Sequence, residues 1–199
     1  MSRVSCKKKW YARTPNPRYN VVAIDCGIRL SLIRGLNACG CNVTVAPFDT
    51  PAETILSFKP DGVFVAGGPG DPHDALPVAQ TLRALRGRLP VLGVGLGHLL
   101  MAMACGAQVS KMKFGHHGSN QPVRELATGK VDITAQNHGF VAEEAGLEGT
   151  GLAVTHKNLL DGTVEGLACE ADRFFGAQFE SDALFARFMQ LMEGEMHHA

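Results

Sequence analysis

The stretch that decides the fold runs from Leu89 to Leu100 and reads L-P-V-L-G-V-G-L-G-H-L-L. A short apolar strand leads into a turn with glycines at alternate positions, and an apolar helix begins directly after the turn. This is the layout of a nucleophile elbow, in which a serine or cysteine on a strained strand-to-helix turn faces a pocket. The residue at the centre of this turn is Gly95, which has no side chain. The stretch therefore predicts the scaffold of covalent catalysis without its usual nucleophile.

Strand and helix patterns alternate through the first half of the chain. Predicted strands lie at 21–24, 42–47, 62–66 and 91–94, and predicted helices at 28–39, 50–58, 75–86 and 97–105. We expect Thr50 to cap the second helix, with Pro51 at its first position. This alternation is typical of a doubly wound, mostly parallel α/β sheet.

The second half of the chain changes character. Short strand-like runs separated by turns lie at 109–123, 131–134, 151–156, 163–168 and 174–178, and an amphipathic helix follows at 182–193. Such runs predict antiparallel additions to the sheet.

Composition limits the classes of function. The 199 residues are 45% apolar and have a formal net charge of zero, which predicts no nucleic-acid partner. No apolar run approaches the roughly 18 residues of a membrane span, and six scattered cysteines lack zinc-site spacing, so we expect a cytoplasmic location. We expect residues 1–18 to form an N-terminal arm and residues 19–199 to form a single domain.

Four further segments contain recognisable motifs. They are F-V-A-G-G-P-G-D-P at 64–72, K-F-G-H-H-G at 113–118, Q-N-H-G-F at 136–140, and T-H-K at 155–157 with D-G-T at 161–163. Together with the elbow, and in this order, they resemble the class I (triad-type) glutamine amidotransferase domain of the carbamoyl-phosphate synthetase small chain. The likeness spans roughly residues 20–193 and implies a flavodoxin-like α/β fold. We expect the family's separate N-terminal domain to be absent, because residues 1–18 are too short to replace it.

The resemblance implies a chemistry and also shows where this chain departs from it. In that family an elbow cysteine attacks the glutamine amide, a histidine activates the cysteine, and a glutamate orients the histidine. These three positions correspond here to Gly95, Gln178 and Glu180, and a glutamine that helps to hold substrate corresponds to Leu99. A carboxamide cannot take a proton at neutral pH. The resemblance therefore implies that no catalytic pair is intact and that only Glu180 is retained.

The residues around the missing triad match the family more closely. Gly68 and Leu96 correspond to positions whose backbone amides stabilise the oxyanion. The positions that line the glutamine pocket correspond to Gly70, Asn137, Gly139 and Phe140. A purely structural interpretation stays open, in which the glycines permit turns and Phe140 belongs to the core. Leu99 adds an apolar wall, which disfavours a polar amino-acid ligand.

Few other residues offer a replacement for the lost chemistry. Cys105 lies about 15 Å along the helix from Gly95, which is too far for it to replace the elbow nucleophile. Cys26 ends the first strand, and its simpler interpretation is that it acts as a small buried apolar residue. His98 matches a histidine that the active family also contains. His116 and His117 face opposite sides of a strand, so we predict no metal site there.

Three hypotheses about function follow. The first is a catalytically degenerate amidotransferase-like protein (a pseudo-glutaminase) with a binding, assembly or regulatory role, with a synthetase-like protein or a second copy of the chain as partner. The second is a repurposed enzyme that uses the remodelled cleft, with Glu180 as acid or base, for non-covalent chemistry on a small metabolite. The third is a structural subunit, similar to the small chain, of an ammonia-dependent carbamoyl-phosphate synthetase. We expect no cofactor in any of them.

Overall fold

The strand that precedes Gly95 lies in the middle of a mixed ten-stranded sheet. The structure is a computed structural model that describes residues 1–196, and the terminal pair His197 and His198 lies outside the described residues. The strands are Trp10–Ala12 (β1), Tyr19–Asp25 (β2), Cys41–Pro47 (β3), Gly62–Val65 (β4), Val91–Val94 (β5), Val109–Glu125 (β6), Val131–Ala142 (β7), Ala153–Asn158 (β8), Val164–Cys169 (β9) and Phe174–Ala177 (β10). The helices are Leu30–Ala38 (α1), Ala52–Ser57 (α2), Leu76–Leu85 (α3), Leu96–Ala104 (α4) and Asp182–Met196 (α5).

The sheet order is β1-β3-β2-β4-β5-β10-β9-β8-β6-β7, and its middle section is parallel from β3 to β10. Strand β2 shows why helices cover both faces, because its apolar residues alternate between two cores. Val21 and Ala23 pack with residues of α1 and α5, whereas Val22 and Ile24 pack with residues of α2, α3 and α4. A strand buried on both faces is typical of a doubly wound sheet. The predicted α/β class is thus confirmed.

The second half of the chain extends this sheet with antiparallel strands. Strand β10 is parallel to β5 on one side and antiparallel to β9 on the other, and β8, β6 and β7 follow in antiparallel pairs. Strand β7 continues to Ala142, whereas the sequence pattern predicted a strand only to Thr134. The whole Q-N-H-G-F motif therefore lies on a strand that pairs with β6.

Two local expectations were incomplete or wrong. The arm contains a strand, because β1 pairs antiparallel with β3 at the edge of the sheet. Thr50 does not cap α2, since its hydroxyl donates to the Pro47 carbonyl at 2.7 Å and Pro51 occupies the cap position. Among the described residues, no helix is both long and apolar enough to span a bilayer.

Candidate functional site

The turn at Gly95 has the strained backbone of a nucleophile elbow. Gly95 has φ 57° and ψ −118°, in the region that favours glycine, and it directly precedes α4. Its N–H donates to the Ala177 carbonyl at 2.8 Å, which fixes the turn against the end of β10. A Cβ built on Gly95 would meet only Gly67 Cα, at 3.6 Å. The turn thus has room for a side chain, although such a side chain would sit on strained backbone.

Gly68 has a steric requirement of a different kind. A Cβ at this position would lie 1.6 Å from the Cys26 carbonyl oxygen, so the loop after β4 approaches the end of β2 too closely for any side chain. The glycine is needed for this approach whatever else its backbone does. The consequence is that the loop lies directly beside the elbow at the carboxyl edge of the parallel strands, where doubly wound sheets place their sites.

The elbow opens into a cavity of about 630 Å³, which we call the elbow cavity. Its walls include Gly95, Gln178 and Glu180, together with Arg29 from the start of α1 and Ser119 from β6. The three positions that correspond to the family triad therefore meet at one cavity. Neither a cysteine nor a histidine lines it among the described residues.

A second cavity of about 540 Å³, which we call the loop cavity, adjoins the first. All seven residues predicted to bind a ligand line this cavity: Gly68, Gly70, Leu96, Leu99, Asn137, Gly139 and Phe140. Gly68, Leu96 and Asn137 also line the elbow cavity, so the two spaces share a wall. The Leu96 N–H belongs to the first turn of α4, where amides have no partner within the helix. The structure thus brings these seven residues together at one cavity, and their role in binding stays a prediction.

Gln178 ties the two cavities together. Its side-chain Nε2 donates to the Phe140 carbonyl at 3.0 Å, and the residue is only 4% exposed. Its Oε1 has no hydrogen-bond partner among the described residues. A carboxamide in this position braces the wall of the loop cavity but supplies no general base.

Glu180 is engaged elsewhere than the family pattern implies. Its carboxylate forms an ion pair with the Arg29 guanidinium across the mouth of the elbow cavity, and both side chains are partly exposed. The hydrogen bonds of the Gln178 side chain do not include Glu180. Sequence reasoning missed Arg29, since this contact joins residues 151 positions apart.

The residues that could replace the missing nucleophile and base are unreactive at neutral pH. Cys26 is fully buried, and burial followed by the Asp25 charge raises the pKa of its thiol to about 12. Burial likewise raises the pKa of Cys105 to about 11. His98 is fully buried, and burial, with His138 and His156 nearby, lowers its pKa to about 3. At neutral pH these groups are un-ionised thiols and a neutral, weakly basic imidazole.

The histidine pair behaves as its alternation on a strand predicts. His116 is buried, whereas His117 is exposed and contacts Asn137 Oδ1 through its Nδ1 at 2.7 Å. Sequence reasoning missed the partners of His116, because His138 on β7 and Glu165 on β9 lie far away in the chain. These three side chains form a buried cluster, and His138 also lines the loop cavity.

The chain belongs to the glutamine amidotransferase class-I family, whose model matches residues 22–181. It is 46% identical over 197 residues to the carbamoyl phosphate synthase small chain of Listeria innocua serovar 6a, covering 92% of this chain and 54% of that protein. It is 42% identical over 208 residues to the carbamoyl phosphate synthase pyrimidine-specific small chain of Halalkalibacterium halodurans, covering 100% and 57%. The chain thus spans about half the length of the curated relatives that it matches.

A solved structure supports the fold independently of sequence. A Thermoplasma acidophilum protein described as a GMP synthase subunit superimposes with a TM-score of 0.76, over 89% of this chain and 96% of that one. The identity is 17%, so this likeness concerns the fold alone.

Proposed function

We propose that this chain is a catalytically degenerate class I amidotransferase domain, which does not hydrolyse glutamine and acts through binding and assembly with a synthetase-like partner. The observation that supports this most is the composition of the elbow cavity. Its walls contain Gly95 where a thiol is needed, Gln178 where a base is needed, and a Glu180 carboxylate paired with Arg29. Covalent hydrolysis of an amide needs an activated nucleophile beside its base, and the described walls of the elbow cavity contain neither a cysteine nor a histidine.

The preserved frame supports a role in binding. The elbow backbone, the Gly68 approach and the loop cavity all persist around the missing groups. In the loop cavity Leu99 is buried and apolar. A polar amide group placed against it would find no hydrogen-bond partner in the Leu99 side chain, which weakens binding of glutamine.

The exposed apolar side chains support an assembly role. Phe114 on β6, Ile133 on β7 and Leu160 in the turn after β8 are among the large apolar side chains that are mostly exposed. Ile133 and Leu160 lie on either side of Pro122, because Ile133 pairs with Pro122 and the Leu159 N–H donates to the Pro122 carbonyl at 2.9 Å, and neighbouring exposed apolar side chains favour a partner surface. The curated relatives are called small chains of carbamoyl phosphate synthase, and we propose a large synthetase chain as the partner, with a second copy of this chain as the competing occupant.

Reconstitution tests this function. The chain is mixed with a large carbamoyl phosphate synthase chain from the same cell, and the complex is sought by analytical ultracentrifugation. We expect association, together with carbamoyl phosphate synthesis from ammonia and none from glutamine. Synthesis from glutamine would contradict the proposal, and a self-associated dimer without the large chain would replace the proposed partner by a second copy.

The repurposed-enzyme alternative has one observation in its favour. The space beside Gly95 is open and leads into a cavity that Glu180 also lines. The ion pair with Arg29 counts against it, because this pair must open before the carboxylate can act as an acid or base. A crystal structure with a metabolite whose reacting atom lies within hydrogen-bond distance of Glu180 would favour this alternative over a binding role.

A further inference from the structure

With Gln136 added, the buried cluster at the wall of the two cavities brings four hydrogen-bond acceptors together. Its members are His116 on β6, Gln136 and His138 on β7, and Glu165 on β9. Gln136 and Glu165 are 4% and 0% exposed, and the side chains of His116 and His138 are 10% and 7% exposed. The Glu165 Oε2 atom has no hydrogen-bond partner among the described residues. A buried carboxylate oxygen without a partner is costly unless a cation or a proton neutralises it.

The outer nitrogen of each imidazole fixes its tautomer. His116 Nε2 lies 3.0 Å from the Asp161 carboxylate, and His138 Nδ1 lies 3.0 Å from the Phe140 carbonyl. Both partners are acceptors only, so both outer nitrogens hold the hydrogen. In the neutral rings the inner nitrogens, His116 Nδ1 and His138 Nε2, therefore present lone pairs to the centre of the cluster.

The amide of Gln136 turns its oxygen to the same centre. Thr134 donates its hydroxyl hydrogen to the Gln121 carbonyl at 3.0 Å, so it must accept from Gln136 Nε2, also at 3.0 Å. Gln136 Oε1 then lies 3.1 Å from His116 Nδ1 and 2.9 Å from His138 Nε2. Two lone pairs and an amide oxygen face one another with no hydrogen between them.

The carboxylate of Glu165 completes the set. Its Oε1 lies 3.0 Å from His116 Nδ1, and its Oε2 lies 3.6 Å from His138 Nε2. The donors nearby are weak ones, since Thr163 shares one hydroxyl hydrogen with Asp161 at 2.7 Å, and Asn158 Nδ2 is 3.4 Å from His116 Nδ1. Among the described residues, the side chains that lie within ion-pair distance of the Glu165 carboxylate are the imidazoles of His116 and His138, with no lysine or arginine.

We propose that His116, His138, Glu165 and the amide oxygen of Gln136 form a site for a divalent transition-metal ion, for which Zn²⁺ is the best match. Metal–ligand bonds of about 2.0–2.2 Å in a tetrahedron place neighbouring donors about 3.3–3.6 Å apart. The four separations between an imidazole nitrogen and a ligand oxygen are 2.9 to 3.6 Å, close to this range, and the ligand atoms of His116, His138 and Glu165 all lie within 4.8 Å of one another. An ion would widen the shorter separations by a few tenths of an ångström. Imidazole nitrogens suit Zn²⁺, whereas Mg²⁺ and Ca²⁺ prefer all-oxygen sites.

The surrounding contacts are those that metal sites use. The Asp161–His116 pair has the carboxylate–histidine–metal arrangement, and the Phe140 carbonyl orients His138 in the same way. The ligands come from three strands, and Gln136 and His138 flank Asn137, which lines both cavities. A bound ion would lock the segment that walls the loop cavity, so its role is structural and does not depend on the proposed function.

Metal titration of the purified, untagged chain tests the site. After chelator treatment and dialysis, Zn²⁺ is titrated against a chromophoric competitor, and Co²⁺ is added separately as a spectroscopic probe. We expect one ion per chain and the intense visible bands of tetrahedral Co²⁺. Glu165→Gln removes a ligand charge, and Asp161→Asn, on a side chain that is 41% exposed, removes the carboxylate charge beside His116 Nε2 without touching a ligand atom. We expect each to weaken Zn²⁺ binding by at least about tenfold.

Matched controls separate this site from other histidines. His117→Gln changes the exposed neighbour of His116, and a double His197→Ala, His198→Ala variant removes the terminal pair; both should bind Zn²⁺ as the unmodified chain does. Circular dichroism confirms that each variant is folded. The proposal fails if the chain binds no stoichiometric ion, or if Asp161→Asn retains full affinity while the terminal variant loses it.

Discussion

Replacement of Gly95 by cysteine should supply a nucleophile without restoring glutamine hydrolysis. The substituted thiol has an ordinary pKa of about 8.5, so about a tenth of it is thiolate at pH 7.5. Gln178 cannot act as its base, and a positioned base contributes roughly 10²–10⁴-fold. We therefore expect the single variant to hydrolyse glutamine at least about 10²-fold more slowly than a variant that also has Gln178→His and Leu99→Gln.

The same substitution should have a measurable cost in stability. A side chain at φ 57° and ψ −118° costs about 1–3 kcal/mol, although the space beside Gly95 is open. For a chain of this size that lowers the Tm by about 2–12 °C. Gly95→Ala is the matched control, because it introduces the same strain without a thiol. Ammonium release by the single cysteine variant at the rate of the triple variant would refute our interpretation of Gln178 and Leu99.

Three further outcomes follow from burial and charge. Cys26 should resist iodoacetamide in the folded protein at pH 7 and react after denaturation, because burial raises its pKa to about 12; rapid labelling of the folded chain, read by mass spectrometry, would contradict this. His98 stays neutral in the folded state until about pH 3, but in the unfolded chain it takes a proton near pH 6.5. Its contribution to the free energy of unfolding is therefore full above pH 6.5 and falls as the pH is lowered, by at most about 1.4 kcal/mol per pH unit. His98→Leu should flatten the acid side of the pH–stability curve. Phe188→Ala should cost about 3–5 kcal/mol in urea unfolding because the ring is fully buried, whereas Phe114→Ala on an exposed ring should cost less than about 0.5 kcal/mol.

Local pattern was sufficient for the parallel half of the fold. In this half each strand and each helix follows a single repeat of apolar residues along its length. Strand β5, for example, begins and ends where the pattern predicts. The pattern failed where polar residues interrupt a strand. The second part of β7 contains Gln136, Asn137 and His138, whose side chains serve the cluster and the cavity, so alternation of apolar and polar residues is lost there. Strand β1 has only three residues and exists because β3 offers an edge.

The candidate site divides in the same way. Residues that belong to motifs, such as Gly68 and Asn137, were predicted because the resemblance places them in order along the chain. The contacts made by the residues that stand at the family's triad positions, Gln178 and Glu180, were not predicted. The contact of Gln178 with the Phe140 carbonyl and the pair of Glu180 with Arg29 both depend on long-range packing, which a single sequence does not encode in any local pattern.

Hydrolysis of amide-¹⁵N glutamine by the unmodified chain, followed by NMR, tests the central claim most directly. We predict that labelled ammonium accumulates no faster than in a buffer blank across pH 6–9, with and without a large synthetase chain. Ammonium release above the blank would contradict the proposed loss of hydrolysis, provided that Asn137→Ala, which alters the wall shared by the two cavities, abolishes it. Such a result would mean that the cavity around Gly95 contains a nucleophile other than the one the family uses.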